Sequence, residues 1–176
     1  MKALFKLLGL DEARAGSSEA RDTETVRRIA ASIEALPPAE ARYLAAFAYV
    51  LARVARADLE ISAEETAEMV RLLRAGSSLG EAQAVLVVQI AKTQATALGG
   101  TENYLVTRRF REISSREQRV ELLRCLFAVV AADQNISHLE DSEVTAVGLE
   151  LGFSREEIAG VRAGFRDQLA VLKGTK

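Results

Sequence analysis

One acidic pattern occurs twice in this chain, at a constant offset of 75 residues. Residues 57–65 read ADLEISAEE, and residues 132–140 read ADQNISHLE. Each copy follows an alanine-rich apolar segment and precedes a shorter amphipathic one. A chain that repeats a segment in this way folds into two similar units that bury their apolar faces against each other. The duplication therefore predicts an internally symmetric architecture before it indicates any chemistry.

The residues around the two copies are those that favour helices. Hydrophobic residues make up 49% of the 176 residues and charged residues 27%, while there are only 2 prolines and 11 glycines. Apolar residues recur at spacings of three and four, and no alternating run bounded by turn residues predicts a strand. A chain of this length buries a sizeable core without disulfides or an obligatory metal. We therefore expect a single domain that is all-α.

The two observations together predict a compact bundle of about seven to eight helices, built from two pseudo-symmetric helix-loop-helix-helix repeats. Neither three-helix unit buries its apolar stripes alone, so the units are expected to pack about a pseudo-twofold axis. A short apolar segment and a polar linker occupy residues 1–21, and one helical domain occupies residues 22–176. Within it, repeat one covers about 37–98 and repeat two about 112–172.

Several helix ends are marked by specific residues. A serine followed three residues later by a glutamate is the capping-box spacing, in which each side chain bonds the other residue's backbone amide. Gly152 is expected to end one helix, and the last helix is expected to continue through Phe165 to Leu172. The predicted capping serines are Ser62, Ser78, Ser137 and Ser154.

The repeated acidic pattern has two interpretations. Capping boxes at Ser62 and Ser137, with an aspartate in each preceding turn, explain much of it by local hydrogen bonding. Glu68 and Glu143, however, recur one turn after the capping glutamates, and a capping box does not require them. Asp and Glu oxygens that converge on one loop are the hard ligands that Ca²⁺ and Mg²⁺ prefer. Both interpretations remain open at this point.

The second copy resembles the start of an EF-hand loop but does not continue as one. His138 stands where that loop needs its sharp-turn glycine, and Val144 stands where it needs a bidentate glutamate. The first copy has Ala63 and Met69 at these positions. His138 is the single histidine, and one imidazole beside carboxylates argues weakly for zinc.

Other function classes receive little support. The net charge of -2 and the pI near 5.6 argue against general affinity for nucleic acid. The single cysteine, Cys125, lies on an apolar helix and is expected to be a core thiol. The sequence contains no Gly-rich phosphate loop, no G-x-S-x-G and no H-E-x-x-H. We therefore do not expect an enzyme.

Residues 1–10, MKALFKLLGL, are apolar but too short to cross a bilayer, and they lack the features of a secretory signal. They predict a short helix that packs on the domain or on a partner protein, with at most a peripheral membrane contact. The expected location is the cytoplasm.

The order of these features resembles the tellurite-resistance protein B (TerB-like) family. The resemblance rests on an alanine-rich helix that ends in Asp58 or Asp133, then Ile-Ser-x-x-Glu, then an apolar helix, all given twice over about residues 23–172. It implies an all-α domain of paired helical units and acidic residues that hold a divalent metal, Ca²⁺ or Mg²⁺ more than Zn²⁺. The residues implied are Asp58, Glu65, Glu68, Asp133, Glu140 and Glu143.

The family is associated with tellurite resistance and with metal or envelope stress responses. The sequence thus predicts a non-catalytic helical module that binds a divalent cation at its acidic helix-loop junctions and takes part in such a response. The alternative is a metal-independent scaffold that binds unidentified protein partners through helix grooves or through residues 1–10.

Overall fold

The computed structural model describes residues 31–55, 63–94, 100–132 and 136–168. Within these ranges the regular structure is helical, and no strand is present. The predicted all-α bundle of about seven to eight helices is therefore confirmed. After a helical turn at residues 31–34, the helices are α1 Pro38–Ala55, α2 Ala63–Gly76, α3 Glu81–Gln94, α4 Gly100–Ile113, α5 Arg116–Val130, α6 His138–Glu150 and α7 Arg155–Arg162, followed by a 3₁₀ helix Ala163–Gln168.

The helix contacts follow the duplication in the sequence. Helices α1 and α5, which precede the two acidic loops, pack against each other. In the duplication, α1, α2 and α3 correspond to α5, α6 and α7. The contacts form three equivalent pairs, and both members of each pair are present. These pairs are α2–α5 with α6–α1, α1–α3 with α5–α7, and α2–α3 with α6–α7. Each repeat thus covers the apolar face of the other, as a pseudo-twofold arrangement requires. Helix α4 joins the halves and packs on α1 and α6.

Helix α1 lies at the centre of the bundle. Every residue from Leu44 to Leu51 has at most 1% of its surface exposed. Such a helix is buried around its whole circumference, and its alanines allow neighbouring helices to approach closely on several sides. The aromatic rings of Tyr43, Phe47 and Phe110 meet at centroid distances of 5.4–6.0 Å and fill the space between α1 and α4.

Capping residues start the helices of the second half largely as predicted. Ser137 and Ser154 each accept a hydrogen bond from the backbone amide three residues later, and Glu140 and Glu157 accept one from the serine's own amide. Ser115 forms the same reciprocal pair with Gln118. The predicted N-caps Ser137 and Ser154 are therefore confirmed. Ser62 lies outside the described residues.

The prediction that Ser78 caps α3 is wrong. Helix α3 begins at Glu81, and the Gly80 amide donates to Oε1 of Gln83 at 2.8 Å, so Gly80 occupies the capping position. The Ser78 hydroxyl instead donates to Oε2 of Glu121 at 3.0 Å, which joins this loop to α5. A tertiary hydrogen bond has replaced the local one that the spacing suggested.

Gly152 ends α6 as predicted. Its φ of 88° lies in the left-handed region, where glycine has no steric cost. The Gly152 amide donates to the carbonyl of Leu149, and the Phe153 amide donates to the carbonyl of Gly148. This pair of bonds is the Schellman motif, which satisfies carbonyls that the helix end leaves unpaired.

The final helix is shorter than the sequence predicts. Helix α7 ends at Arg162, and residues 163–168 form a 3₁₀ helix with a kink at Phe165 (φ -116°, ψ 21°). Two glycines, Gly160 and Gly164, weaken the α-helix here, and the Phe165 ring stacks on Phe127 of α5 at a centroid distance of 5.7 Å. The predicted continuation to Leu172 lies outside the described residues.

Helices α6 and α7 cross at Gly148. A methyl group added there would lie 2.8 Å from Cδ1 of Ile158, well inside van der Waals contact. We expect Gly148→Ala to lower the free energy of unfolding by about 1–3 kcal/mol, because the added carbon forces the helices apart.

The matched control is Gly160→Ala in α7, where an added methyl meets nothing within 4 Å. This change should leave stability unchanged or raise it by up to about 1 kcal/mol through helix propensity. Urea unfolding of both variants measures the difference. Equal stabilities of the two variants would contradict the close contact at Gly148.

Candidate functional site

The structure describes three of the six predicted metal ligands. Glu68, Glu140 and Glu143 have described side chains, whereas Asp58 and Asp133 lie outside the described residues and so does the side chain of Glu65. Among the described side chains no group of three His, Cys, Asp or Glu residues is placed to hold a metal ion. Metal binding by the six residues therefore stays a prediction.

Glu68 lies on the exposed face of α2 beside Arg71. The guanidinium donates to both carboxylate oxygens, at 2.5 and 2.7 Å. Hydrogen bonding to Arg71, with its positive charge, lowers the pKa of the Glu68 carboxyl. We call the repeat elements with Asp58, Glu65 and Glu68, and with Asp133, Glu140 and Glu143, the first and second junctions. A cation at the first junction would therefore have to compete with Arg71 for the Glu68 carboxylate.

Glu140 belongs to the helix cap. Its Oε2 accepts a hydrogen bond from the Ser137 amide at 2.8 Å, as the capping interpretation predicts. No other hydrogen bond among the described residues reaches this carboxylate. One oxygen of Glu140 is therefore free of described hydrogen bonds, on the face of α6 that also carries Glu143 one turn later.

Glu143 pairs with an arginine from the other repeat. Nε of Arg53, in α1, donates to Oε1 of Glu143 at 2.6 Å. The same guanidinium donates twice to Glu150, at 2.7 and 3.1 Å, and once to the Thr107 hydroxyl at 3.1 Å. Arg53 thus connects α1, α4 and α6. We refer to Arg53, Thr107, Glu143 and Glu150 as the Arg53 network.

The Arg53 network is largely shielded from solvent. The side chain of Arg53 is 9% exposed, and those of Glu143 and Glu150 are 30% and 20% exposed. Burial lowers the pKa of Arg53, but the hydrogen bonds to Glu150 and Glu143 outweigh it and raise the pKa above its ordinary value. Sequence reasoning missed this arginine. The available signal was its position between Ala52 and Val54, in a segment that is otherwise apolar.

Glu68 and Glu143, one in each acidic junction, differ in their hydrogen-bond partners. Glu68 and Glu143 are equivalent in the repeat, but Arg71 engages both oxygens of Glu68, whereas Arg53 engages only Oε1 of Glu143. Glu140 and Glu143 each retain one oxygen without a hydrogen bond from the described residues. Hard oxygen donors of this kind are the ligands that Ca²⁺ and Mg²⁺ prefer. A cation at either junction would compete with an arginine, Arg71 at Glu68 and Arg53 at Glu143.

Cys125 is a core thiol, as predicted. It is fully buried, and its sulfur lies 3.1 Å from where a methyl group on Gly76 would sit. Burial raises the pKa of the thiol to about 12. Nucleophilic chemistry needs the thiolate, so burial and the raised pKa make this thiol a poor nucleophile.

A groove runs along the outer face of α5, with a volume of about 660 Å³. Its floor is one stripe of α5 at a spacing of four residues, and its walls come from the last turns of α2 and from the α7 segment with the 3₁₀ helix. The floor residues are Arg116, Val120, Arg124 and Ala128. The wall residues are Leu72, Ala75, Gly76, Phe153, Glu157, Gly160, Val161, Gly164 and Phe165. We call this the α5 groove.

The charged residues of the α5 groove have different surroundings. Arg116 forms an ion pair with Glu157 across the groove, and its guanidinium lies 5.2 Å from the centre of the Phe153 ring. Arg124 is exposed and forms no ion pair with the residues that the structure describes. The remaining lining is apolar or glycine. The groove is thus an open apolar surface with one uncompensated positive charge.

Comparison with known families assigns the chain to a protein family. The family described as tellurite resistance protein TerB matches residues 43–163, which is more than half of the chain. The chain belongs to the TerB family. The matched region runs from α1 to the start of the 3₁₀ helix and so contains both acidic junctions and most of the α5 groove. No curated protein and no solved structure matches the chain.

Membership of the TerB family confirms the resemblance and describes the chain as a TerB-like helical module. In the described ranges of this TerB-family chain, no helix combines the length and the apolar character needed to cross a bilayer.

Removing Arg53 should destabilise this TerB-family protein. Arg53→Met leaves Glu143 and Glu150 facing each other without their counter-ion, and we expect a loss of about 2–3 kcal/mol in the free energy of unfolding. Urea unfolding at low salt measures this loss. Adding Glu143→Gln and Glu150→Gln to Arg53→Met should recover part of it, because the stranded charges are gone.

The matched control is Arg71→Met, which breaks the equivalent ion pair of the first repeat on an exposed helix face. Its stability should equal that of the unmodified protein within error, because exposed pairs contribute little. A loss in Arg71→Met as large as that in Arg53→Met would show that the Arg53 network has no special role.

Proposed function

We propose that this chain is a non-catalytic TerB-family binding module that holds a protein partner in the α5 groove. The observation that carries the proposal is the groove itself. It is open and mostly apolar, has a volume of about 660 Å³, and is built from three helices of both repeats. Exposed apolar surfaces with a polar rim mark protein interaction sites, and hydrophobic grooves bind segments of partner proteins. Val120, Ala128 and Val161 supply the apolar contact area.

The described side chains support catalysis less than they support binding. The charged side chains predicted as site residues serve as ion-pair partners or helix caps where they are described. The Cys125 thiol has a raised pKa and is buried, so it is a poor nucleophile. The groove presents two arginines and one glutamate, and Arg116 and Glu157 neutralise each other.

A photo-crosslinking residue placed in the groove tests this proposal. Ala128 lies on the floor of the groove and Leu72 on a wall, whereas Gln89 is exposed on α3, which contributes no residue to the groove. We expect the same protein to be captured from Leu72 and Ala128 in cells, and not from Gln89. The purified captured protein should bind the unmodified chain and not Ala128→Leu, which fills the groove.

Two results would contradict the groove as the partner site. Equal capture from all three positions would indicate non-specific contact. Binding of the purified partner to Ala128→Leu with unchanged affinity would place the interface elsewhere on the chain. Circular dichroism of each variant checks that the fold is intact.

A second proposal is a divalent cation, Ca²⁺ or Mg²⁺ before Zn²⁺, at the acidic junctions. The specific observation in its favour is at the second junction, where Glu140 and Glu143 each keep one oxygen without a described hydrogen bond. With Asp133 they would supply three carboxylates, which are the ligands such ions prefer. The bound ion would neutralise these carboxylates and hold the loop to the start of α6.

Thermal melts of chelator-stripped protein test the cation. An ion at a hundred times its dissociation constant should stabilise the fold by about 2.7 kcal/mol, which raises the melting temperature by several degrees. Ca²⁺, Mg²⁺, Mn²⁺ and Zn²⁺ should be compared. We expect Asp133→Asn to abolish the shift and Glu68→Gln, at the first junction, to retain it.

Asp58→Asn completes this series. Loss of the ion-induced rise in melting temperature in that variant would indicate that the ion binds at the first junction. Glu143→Gln is unsuitable alone, because it also breaks the pair with Arg53. Flat melts with every ion would reject the cation and leave the acidic residues as caps and ion-pair partners.

We also propose a wider role in a metal, tellurite or envelope stress response. The family's description as tellurite resistance protein supports the tellurite part of this proposal. We further propose a cytoplasmic module that acts through protein contacts rather than through nucleic acid, in accord with the net charge of -2. Residues 1–10 offer a second contact, with a partner or a membrane surface. They lie outside the described residues.

A further inference from the structure

One guanidinium, that of Arg53 in α1, serves two carboxylates of α6. Its Nε donates to Oε1 of Glu143 at 2.6 Å, and its two terminal nitrogens donate to Glu150 at 2.7 and 3.1 Å. Two carboxylates against one guanidinium leave one negative charge in excess, on side chains that are largely shielded from solvent. Because solvent and salt screen such a charge poorly, it attracts a further cation.

Of the two carboxylates, Glu143 is the one that Arg53 can release at the lower cost. Arg53 makes one of its four described hydrogen bonds to Glu143, and the other three go to Glu150 and to the Thr107 hydroxyl. Glu143 is also the more exposed carboxylate, at 30% against 20% for Glu150. Without Glu143 the guanidinium would still be bidentate to Glu150, which is its strongest mode of pairing with a carboxylate.

The donor atoms around Glu143 fit a divalent cation, but one of them is already engaged. Oε2 of Glu143 and Oε1 of Glu140 accept no hydrogen bond from the described residues. The two glutamates lie one turn apart on the same face of α6, and their oxygens are the hard donors that Ca²⁺ and Mg²⁺ prefer. Oε1 of Glu143 is held by Arg53. A cation at Glu143 therefore meets a guanidinium that both occupies one oxygen and repels it.

We propose that Arg53 controls cation binding at the second junction by competing for Glu143. This inference rests on the proposed cation and names the residue that regulates its affinity. A cation bound at Glu143 weakens the pair with Arg53, which then relies on Glu150 and Thr107. Because the Arg53–Glu143 pair joins α1 to α6, the cation loosens one contact between the two repeats, and that contact weakens cation binding by the same factor.

The first junction lacks this coupling. Glu68 pairs with Arg71 of the same helix, and both side chains are exposed. A cation that displaced Arg71 would disturb a local contact within α2 and no contact between the repeats. Arg71 is therefore the matched control for Arg53.

A mutant cycle on the full chain tests the competition. Ca²⁺ and Mg²⁺ are titrated calorimetrically into chelator-stripped protein, in the unmodified chain, Arg53→Met, Glu143→Gln and the double variant. We expect Arg53→Met to bind the ion at least about tenfold more tightly, because a charge-assisted hydrogen bond no longer opposes it. In the Glu143→Gln background the same change should give no gain, because the contested carboxylate is absent.

Further variants keep the test independent of the lower stability expected for Arg53→Met. Arg53→Lys keeps the charge but not the planar set of donors, and it should also bind the ion more tightly than the unmodified chain does. Arg71→Met should leave the affinity unchanged. Urea unfolding gives a second readout, since the stability lost in Arg53→Met should shrink when the ion is saturating. Circular dichroism checks that each variant is folded.

Each alternative result has a distinct meaning. An equal gain from Arg53→Met with and without Glu143 would reduce the effect to long-range charge and overturn the competition. Unchanged affinity in both Arg53 variants, with the unmodified chain stabilised by the ion, would overturn the role of Arg53 and leave the proposed cation in place. An ion bound by Arg53→Met and not by the unmodified chain would support the competition and overturn the proposed cation in the native protein. No binding by any variant would overturn both.

Discussion

The contact between α1 and α5 is the constraint on which the rest of the structure depends. Both helices contribute buried apolar residues to the core, and their contact joins the two repeats. The surrounding helices then take positions that exchange under the pseudo-twofold relation. The α5 groove is one result, because α5 is enclosed on its α1 side and left open between α2 and α7.

The duplication does not make the two halves chemically equal. Glu68 and Glu143 occupy the same position in the repeat, yet Glu68 forms an exposed pair with Arg71 one turn away and Glu143 forms a shielded pair with Arg53 of the other repeat. The first contact is local and easily replaced, while the second depends on the tertiary structure. Of the two equivalent glutamates, Glu143 therefore cross-links the halves and Glu68 does not.

Sequence reasoning predicted the features that local chemistry determines. Apolar spacing gave the all-α class, and the capping residues gave the starts of α6 and α7, because these patterns act within one or two turns. Tertiary contacts were harder to predict from the sequence. Ser78 has the capping spacing but bonds Glu121, and Arg53 has no local partner that would single it out. The groove depends on three separate segments, so no single stretch of sequence predicts it.

The anchoring of α7 has a consequence for recognition. Ile158 is packed on Gly148, Arg162 forms a bidentate pair with Asp141, Glu157 pairs with Arg116, and Phe165 stacks on Phe127. These contacts hold the groove wall in place before any ligand arrives. A preorganised surface avoids the entropic cost of ordering on binding. Partners that bind the groove as we propose should therefore meet this wall at similar association rates and differ mainly in how long they stay bound.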